Sequence, residues 1–569
     1  MAPPRRRLYW AGAILAALVL LALALQWGVR SYLKPRIASL LQHIIVEGSD
    51  SLYRFEPSAV VVDLWSGSLA LKDCRLYLDS ARYAARREDG SLPPLTVSMH
   101  FQEIRVSGLQ VWTWLLHKRA VCARLDLAGA EVSLYRHPGG KGTPGRKGTP
   151  GTAPGKDLYS LVRPLVRSIS VGEILLGDVR VAYDNGDSAR PFRWAFERCD
   201  LRLRDILVDS TTVSDSMRVA YARSFTVHMK KVSILVSKQL YRLTLGDLTY
   251  DFGAREAQLD DFTLEPVLDA PAFYRRVGHQ EDRYFLHVPR LRLGGFNMAE
   301  LLLYNFLHVD SAHLLGPQVH IYHDRTLLPS PKTKLGKYPQ QLLLKAPIDI
   351  LVRRVVAENG QISYGEKAPQ TKEQGTLTFD RVGGLLSNIT NVADAIAQNP
   401  RWIVDLRALF LGHSPIQAVF TFYLGSSDGR FAVDAHLRDL DAPALDPVTR
   451  ALAKASVRSF HLDSLEAHIT GDEHGAKGDV RMRYDHLRLD LLRAGPDSGS
   501  LSKKPLLSFL VNQVLVHEDN PSGGKQERVA VDVIQNRDEH KSFFNLIWKT
   551  LFGGVRQIAL KVKLGGKQH

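Results

Sequence analysis

Apolar and polar residues alternate with a period of two through most of this chain, which is the pattern of β-strands that bury one face. Three of the clearest segments are SFTVHMKKVSILV, LYRLTLGDL and GDVRMRYDHLRLDL. The apolar side chains that share a face in these segments are Phe225, Val227 and Met229, then Tyr241, Leu243 and Leu245, and then Val480, Met482 and Tyr484. Similar segments recur from about Val60 to Asp490. The pattern predicts a mainly β protein with a few short helices.

The chain contains an internal repeat. The segment IRVSGLQVWTWLLHKRAVCARLDLAGAEVSLYRH, which starts at Ile104, pairs without gaps with LRLGGFNMAELLLYNFLHVDSAHLLGPQVHIYHD, which starts at Leu291. The glycines that recur at matching positions are Gly108 with Gly295 and Gly129 with Gly316. Each copy predicts a strand, a glycine turn, a short helix, a strand, a second glycine turn and a strand, and a weaker echo follows in GDVRVAY and GQISYGE. Repeats that each bury one face predict elongation by stacking.

A long sheet with one apolar face must cover that face. We predict an elongated, repeat-built antiparallel sheet that folds into an apolar-lined trough, with the apolar side chains named above as its lining. Such a trough would shelter acyl chains from water, at about 0.8 kcal/mol for each buried methylene. The alternative is that the face forms the dry core of a sandwich or solenoid, and periodicity alone favours this alternative.

An apolar stretch without charges stands near the start of the sequence. From Leu8 to Val29 there are 22 uncharged residues, which as a helix would cross the hydrocarbon core of a bilayer. We predict one uncleaved transmembrane helix, with its N-terminal side in the cytoplasm and the bulk of the chain exported. The alternative is a cleaved signal peptide, since Arg5, Arg6 and Arg7 precede the stretch and small residues lie near its end.

An amphipathic helix is predicted in KSFFNLIWKTLFGGVRQIALKVK, which starts at Lys541. Its apolar residues recur at spacings of three and four, and its basic residues take the opposite side. The residues predicted to dock on a membrane or a partner are Phe543, Phe544, Ile547, Trp548, Leu551 and Val555. The alternative is that the helix covers the open end and edge strand of the sheet in its own chain.

These patterns divide the chain into ten segments. They are a cytoplasmic N-terminus (1–7), a transmembrane anchor (8–29), an amphipathic juxtamembrane helix (30–47), a β section with repeat copy one (48–136), a flexible Gly/Pro/Lys-rich loop (137–156), a β section (157–278), a β section with repeat copy two (279–390), a C-terminal β section (391–492), a connection of loop and strand (493–540), and an amphipathic helix with a basic tail (541–569).

Charge and cysteine content narrow the function classes. The formal net charge is +15, but the basic residues are spread along strands rather than clustered with aromatic residues, so nucleic acid is not an expected partner. In a membrane-tethered protein, this positive charge favours attraction to anionic lipid surfaces. The alternative is a solvated basic surface without a partner. The three cysteines, Cys74, Cys122 and Cys199, form no close pair and predict small core residues.

The sequence gives little indication of catalysis. HExxH and CxxC motifs do not occur. The segment HIYHD offers His320, His323 and Asp324, but the two histidines point to opposite faces of a strand and are unsuited to bind one metal ion. We therefore expect a non-catalytic protein without a cofactor or a metal.

Several segments resemble the AsmA-like family of bacterial envelope proteins, which are related to bridge-like lipid-transfer proteins. The likeness is best between about Gly278 and Leu491, where GHQEDRYFLHVPRLRLGGFN is followed by VHIYHDR, APIDILVRRVVAENGQISYGE, GTLTFDRVGGLLSNITN, LDAPALDP and GDVRMRYDHLRLDLL. The order of these segments carries the resemblance, and the N-terminal half fits more loosely. The resemblance implies a single-span inner-membrane protein with its bulk in the periplasm and a role in envelope lipid homeostasis. It supplies no catalytic residues.

Pattern and resemblance together predict a protein that shelters and transfers phospholipids between envelope membranes along an apolar β groove. The expected partners are phospholipids, the inner membrane and, at the C-terminal end, the outer membrane or an envelope protein. The alternative is a non-catalytic scaffold or assembly factor for outer-membrane proteins that acts by strand addition to an exposed edge.

Overall fold

The computed structural model describes residues 45–561 with gaps, of which the longest are 138–158, 213–220 and 504–515. In this part of the chain, no helix combines the length and the apolar character that a bilayer span requires. The predicted anchor at Leu8–Val29 lies outside the described residues.

Strands make up most of the described chain, which confirms the mainly β prediction. The first elements are β1 (Tyr53–Asp63), β2 (Ser68–Leu78), α1 (Ser80–Glu88), β3 (Leu95–Ser107), α2 (Val111–His117), β4 (Arg119–Ala128), β5 (Glu131–Arg136), β6 (Ser168–Asp184), β7 (Arg193–Val208), β8 (Ser224–Met229), β9 (Val232–Val236), β10 (Tyr241–Leu245) and β11 (Leu248–Asp251). The next are β12 (Glu256–Pro266), α3 (Ala270–Val277), β13 (Asp282–Gly294), α4 (Met298–Tyr304), β14 (Phe306–Leu315), β15 (Gln318–Asp324), α5 (Pro339–Leu344), β16 (Asp349–Lys367), β17 (Gln374–Thr390) and α6 (Ala393–Gln398). The last are β18 (Arg401–Phe410), β19 (Ser414–Tyr423), β20 (Phe431–Asp441), α7 (Ala442–Ala453), β21 (Ala455–Gly471), β22 (Gly475–Ala494), β23 (Leu501–Lys503), β24 (Val529–Asn536) and α8 (Phe543–Ala559).

The chain forms two compact units. The described residues up to Val232, with Asp247–Glu256 and Met298–Asn305, belong to the first unit. Ser233–Gly246, Ala257–Asn297 and the described residues from Phe306 onward belong to the second.

Both units contain parallel as well as antiparallel strand pairs, so the prediction of an antiparallel sheet is wrong in this respect. Most neighbours are antiparallel, but β4 and β5 pair in parallel with β6, and β14 and β15 pair in parallel with β16. A parallel pair requires a connection that returns the chain to the end where the first strand began. The chain makes that return between Arg136 and Ser168, and again between Asp324 and Asp349. A period of two is the same in both directions and carries no information about this choice.

The two repeat copies share one strand register. In copy one, Ile104 pairs with Leu127 and His100 with Glu131. In copy two, the residues at matching positions make the same pairs, Leu291 with Leu314 and His287 with Gln318. The parallel pairs correspond as well, since Ala128 aligns with Gly177 and Leu315 with Glu358.

The positions at which strand pairing shifts also match between the two repeat copies. The β6–β7 pairing shifts after Leu176, and the β16–β17 pairing shifts at the matching Ala357. The residues next to these shifts, Asp178 and Asn359, both have a φ of 53°. The repeat also reaches further towards the N-terminus than the sequence indicated, because α1 and α3 each precede a long strand and are each capped by an aspartate side chain.

The glycines that begin the α2 and α4 connections require a left-handed backbone. Gly108 has a φ of 67° and Gly295 a φ of 68°. A Cβ at Gly108 would lie 2.7 Å from the Cβ of Ala123, and a Cβ at Gly295 would overlap the Asp310 carboxylate. These positions therefore admit no side chain without strain.

We expect Gly108→Ala and Gly295→Ala each to destabilise the protein by about 1–2 kcal/mol, which is the usual cost of a left-handed L-residue. The overlap with neighbouring atoms adds to this cost. The urea midpoint of the full chain measures the effect. Gly177→Ala is the matched control, because Gly177 lies in β6 with ample space around its Cα. An equal loss in this control would contradict the explanation.

Candidate functional site

The apolar face of the first unit is a row of side chains that crosses eight strands. Strand pairing places one apolar residue from each strand next to the one before it. In this order the row consists of Val60, Leu71, Ile104, Leu127, Leu176, Leu201, Val227 and Tyr250. A parallel row consists of Leu69, Val106, Leu125, Ile174, Leu203 and Phe225. Ile104, Leu127, Leu176, Leu201 and Leu203 are only half-buried, so much of this face lies open within reach of a ligand.

The predicted lining residues on β8 belong to these rows. Phe225 is half-buried and stacks on Phe252 with 4.2 Å between the ring centroids. Val227 pairs with Leu201 and Tyr250. Val227 and Met229 are buried, which indicates that the row becomes covered at this end.

The second unit carries a comparable row across ten strands. It consists of Leu293, Ala312, Val355, Leu386, Val404, Phe420, Val433, Ile469, Gly478 and Val533. Leu386, Val404 and Phe420, on β17, β18 and β19, are half-buried, whereas Val433, Ile469 and Val533 are buried. The row is therefore open at β17–β19 and covered at β20–β24.

Helix α8 covers the closed part of this row. The predicted lining residues Val480, Met482 and Tyr484 share one face of β22, but they are buried in a core that includes Ile558 of α8. The backbone of α8 can lie this close to β22 because Gly554 has no side chain. A Cβ at Gly554 would lie only 2.7 Å from the Cβ of Val480. These three residues form packed core beneath the helix.

An aromatic cluster fixes the N-terminal end of α8. Phe543 is buried, and its ring lies 5.0 Å from that of Tyr338 and 4.8 Å from that of Phe431. Phe422 joins the cluster at 5.6 Å from Phe543. Since Phe543 points into its own chain, it is not free to dock on another surface.

The six residues of the predicted docking set lie in different surroundings. Two apolar cores lie below the helix, one that includes Val480 and one that includes Phe543. Ile547, Leu551 and Val555 are half-buried against them. Phe544 and Trp548 remain 59 % and 53 % exposed. Phe552, which the sequence prediction did not include, is 45 % exposed and stacks on Trp548 at 5.8 Å. Phe544, Trp548 and Phe552 form what we call the aromatic flank of α8.

The third predicted lining group, on β10, lies under α3. Tyr241 is buried against Phe273 and Tyr274 of this helix. Leu243 pairs with Leu264 of β12, and Leu243 and Leu245 are half-buried. This group contributes partly to a local core and partly to the apolar face.

A buried polar network lies at one end of the apolar face, in the second unit. The Asp282 carboxylate accepts hydrogen bonds from His323 Nδ1 at 2.8 Å, from Lys334 Nζ at 3.0 Å and from the Tyr284 hydroxyl at 3.1 Å. Burial alone would raise the pKa of Asp282, but the hydrogen bond from His323 and the charge of Lys334 outweigh burial and hold the pKa well below its usual range. Sequence reasoning missed this network, although a charged residue on the apolar face of a strand was a usable signal.

Lys334 belongs to the connection 325–348, which ties distant elements together. Its backbone N–H donates to the Glu539 carbonyl. Further along, the Tyr338 hydroxyl donates to the Asp472 carbonyl at 3.0 Å, and the Gln340 side chain donates to the Gly429 carbonyl at 2.8 Å. The connection therefore links the β13–β15 edge to the β19–β20 and β21–β22 turns and to the start of α8.

The opposite face of the sheet is polar and holds an open cleft of about 500 Å³ between β19 and β24. His468 Nδ1 and the Asp434 carboxylate lie 2.6 Å apart there. No group of three or more metal-ligating side chains is found within the described ranges. His320 bonds to Ser363, whereas His323, on the other face, bonds to Asp282.

Two further sequence features have structural explanations. Cys74 and Cys199 are buried, Cys122 is half-buried, and all three are unpaired thiols. Burial raises the pKa of Cys74 to about 11 and that of Cys199 to about 12. The segment GSSDG (425–429) has GxSxG spacing, but it joins two strands rather than a strand to a helix, and so it lacks the geometry of a nucleophile elbow.

Comparison with known proteins adds no family. No protein-family model matches the sequence. No curated protein matches it significantly either. The resemblance to AsmA-like proteins therefore stays a prediction that rests on the segments quoted above.

Proposed function

We propose that this chain is a periplasmic, inner-membrane-anchored protein of the AsmA-like type that shelters phospholipids and transfers them between envelope membranes along its apolar face. The observation that carries the proposal is the set of three apolar rows, two in the first unit and one in the second. Each crosses strand after strand without a polar residue, and each includes a stretch of half-buried side chains.

Partial burial of these rows supports a ligand more than a dry core. A packed core buries its members almost completely, as Val433 and Ile469 are buried beneath α8. Leu203 and Leu386 are not buried in this way. An acyl chain on such a surface would gain about 0.8 kcal/mol for each methylene removed from water.

One observation favours the scaffold function as a second candidate. Among the described strands, only β22 pairs with β24, and Val531 and Ile534 of β24 are 59 % and 76 % exposed. An edge strand with exposed apolar side chains is a template for strand addition. An outer-membrane protein in an extended conformation would suit this edge.

Site-specific photocrosslinking tests the lipid proposal. A benzophenone amino acid replaces Leu203 on the apolar face of β7, and the matched control replaces Arg204, whose side chain is 54 % exposed on the polar face of the same strand. The full chain is irradiated in bacterial cells, purified and analysed by mass spectrometry. We expect at least tenfold more phospholipid adduct at position 203 than at position 204.

Two outcomes would count against lipid transfer. Equal adduct at both positions would show contact with bulk lipid rather than with a groove. Adducts to proteins at position 203, with none to lipid, would show that this face binds polypeptide rather than phospholipid.

A further inference from the structure

The aromatic flank of α8 is exposed in a definite direction. On one side of the helix, a Cβ at Gly553 would meet the Val533 side chain of β24 at 3.0 Å. On the other side, the Phe544 ring lies 6.3 Å from the Phe420 ring of β19, edge to face. Phe544, the first ring of the flank, therefore leans towards β19, away from the edge strand.

The surface beside Phe544 is the margin of the cores beneath α8, where the side chains of the apolar row become half-buried. Val404 and Phe420 are paired across β18 and β19 and are half-buried. Phe410 and Ile416 on the same face are also half-buried. An apolar floor on β18 and β19 thus adjoins the Phe544 ring, and all three rings of the flank are exposed to water.

A half-buried cation lies three residues before Phe544 in the chain. Lys541 precedes the first turn of α8, is half-buried and donates from Nζ to the neutral Gln280 Oε1 at 3.2 Å. In the part of the chain that the structure describes, no carboxylate forms an ion pair with it. Burial and the nearby charge of Arg325 lower the pKa of Lys541, and outweigh the opposing effect of the Asp538 and Glu366 carboxylates. A half-buried ammonium with a neutral partner is suited to receive an anionic group.

We infer that one acyl chain of a phospholipid lies between the aromatic flank of α8 and the β18–β19 floor, with its phosphate at Lys541. This inference rests on the proposed lipid function and gives it a defined binding site in the second unit. The occupant is a lipid held within the chain's own groove, because Phe544 adjoins the continuation of the apolar row and Lys541, three residues away in the chain, complements a phosphate.

The test places the benzophenone amino acid at Phe544 or at Trp548 in the full chain, which is purified and washed free of bilayers before irradiation. Ile534 on β24 is the control position, since it is even more exposed but lies away from the floor. We expect at least tenfold more phospholipid adduct at positions 544 and 548 than at 534. Lys541→Gln should lower the adduct at 544 at least threefold, and Lys541→Arg should preserve it.

The outcomes separate this inference from the proposed function. Adduct at Leu203 without adduct at 544 and 548 overturns the inference and leaves lipid binding by the first unit intact. Absence of adduct at all three positions overturns both. Adduct at 544 that forms only after vesicles are added, or adduct to a protein, overturns the inference in favour of a bilayer surface or a protein partner.

Discussion

Phe543→Ala is expected to lower the free energy of unfolding of the second unit by about 3–5 kcal/mol, the usual loss for a buried phenylalanine. Phe543 lies within an aromatic cluster formed by Tyr338, Phe422 and Phe431. Its removal would leave a cavity where α8, the connection 325–348 and the sheet meet. The urea midpoint of the full chain and the hydrogen-exchange protection of α8 measure the effect.

The neighbouring residue provides a matched control. Phe544 has the same side chain one position later, but it is 59 % exposed. Phe544→Ala is therefore expected to leave the urea midpoint nearly unchanged, while it reduces any lipid retained beside α8. If both substitutions destabilise equally, then α8 does not rest on the sheet by the face described above.

Asp282→Asn is expected to destabilise the second unit by about 3 kcal/mol. It removes the charge that Lys334 and His323 share, and the loss lies at the low end for a broken buried pair because Lys334 retains some contact with solvent. Asp310→Asn is the control, since Asp310 forms an exposed ion pair with Arg353 at 3.0 Å. Exposed pairs contribute little, so the urea midpoint of this control should barely change.

The effect of Asp282→Asn should depend on pH in a defined direction. The pKa of Asp282 is lower in the folded protein than in the unfolded chain, so its contribution is complete above the unfolded pKa of about 4 and is lost as the pH falls from there towards the folded pKa. The difference between the natural chain and the variant should therefore shrink as the pH falls below about 4. A difference that stays constant down to pH 2 would contradict the assignment.

Much of the strand pattern was predictable, because alternation of apolar and polar residues specifies a face without knowledge of the partner strand. Phe225 and Val227 illustrate this, since both lie in the rows that pairing creates. The relative direction of neighbouring strands was not predictable. Apolar and polar residues alternate in β6 and β16 in the same way whether the neighbouring strands run parallel or antiparallel to them. The repeat was visible in glycines because Gly108 and Gly295 serve a backbone conformation that other residues resist.

The role of α8 was only partly predictable. Its apolar arc is wider than the face it buries, and the centre of that face holds a threonine and a glycine, Thr550 and Gly554. Thr550 satisfies its hydroxyl within the helix by donating to the Leu546 carbonyl at 2.9 Å. A hydrophobic pattern cannot show such a centre, because close packing there depends on small volume rather than on apolar character.

The buried network around Asp282 could not be assembled from sequence for a different reason. Its members come from β13, β15 and the connection 325–348, and Lys541 contacts Gln280 nearby from the other end of the unit. Ion pairs between segments so far apart have no local spacing that a motif could capture.

The return connections of the two copies show how duplication gave this chain room to diverge. Strand register and bulges are the same on both sides of these connections, although their lengths and compositions differ. The sheet thus holds its geometry whatever joins β5 to β6 or β15 to β16. In copy two, the connection holds distant turns together through hydrogen bonds from Tyr338 and Gln340. In copy one, the connection contains a run of glycine, proline and lysine. Strand register therefore does not depend on the sequence of the connection, whereas the stability of the second unit depends on the contacts that its connection makes.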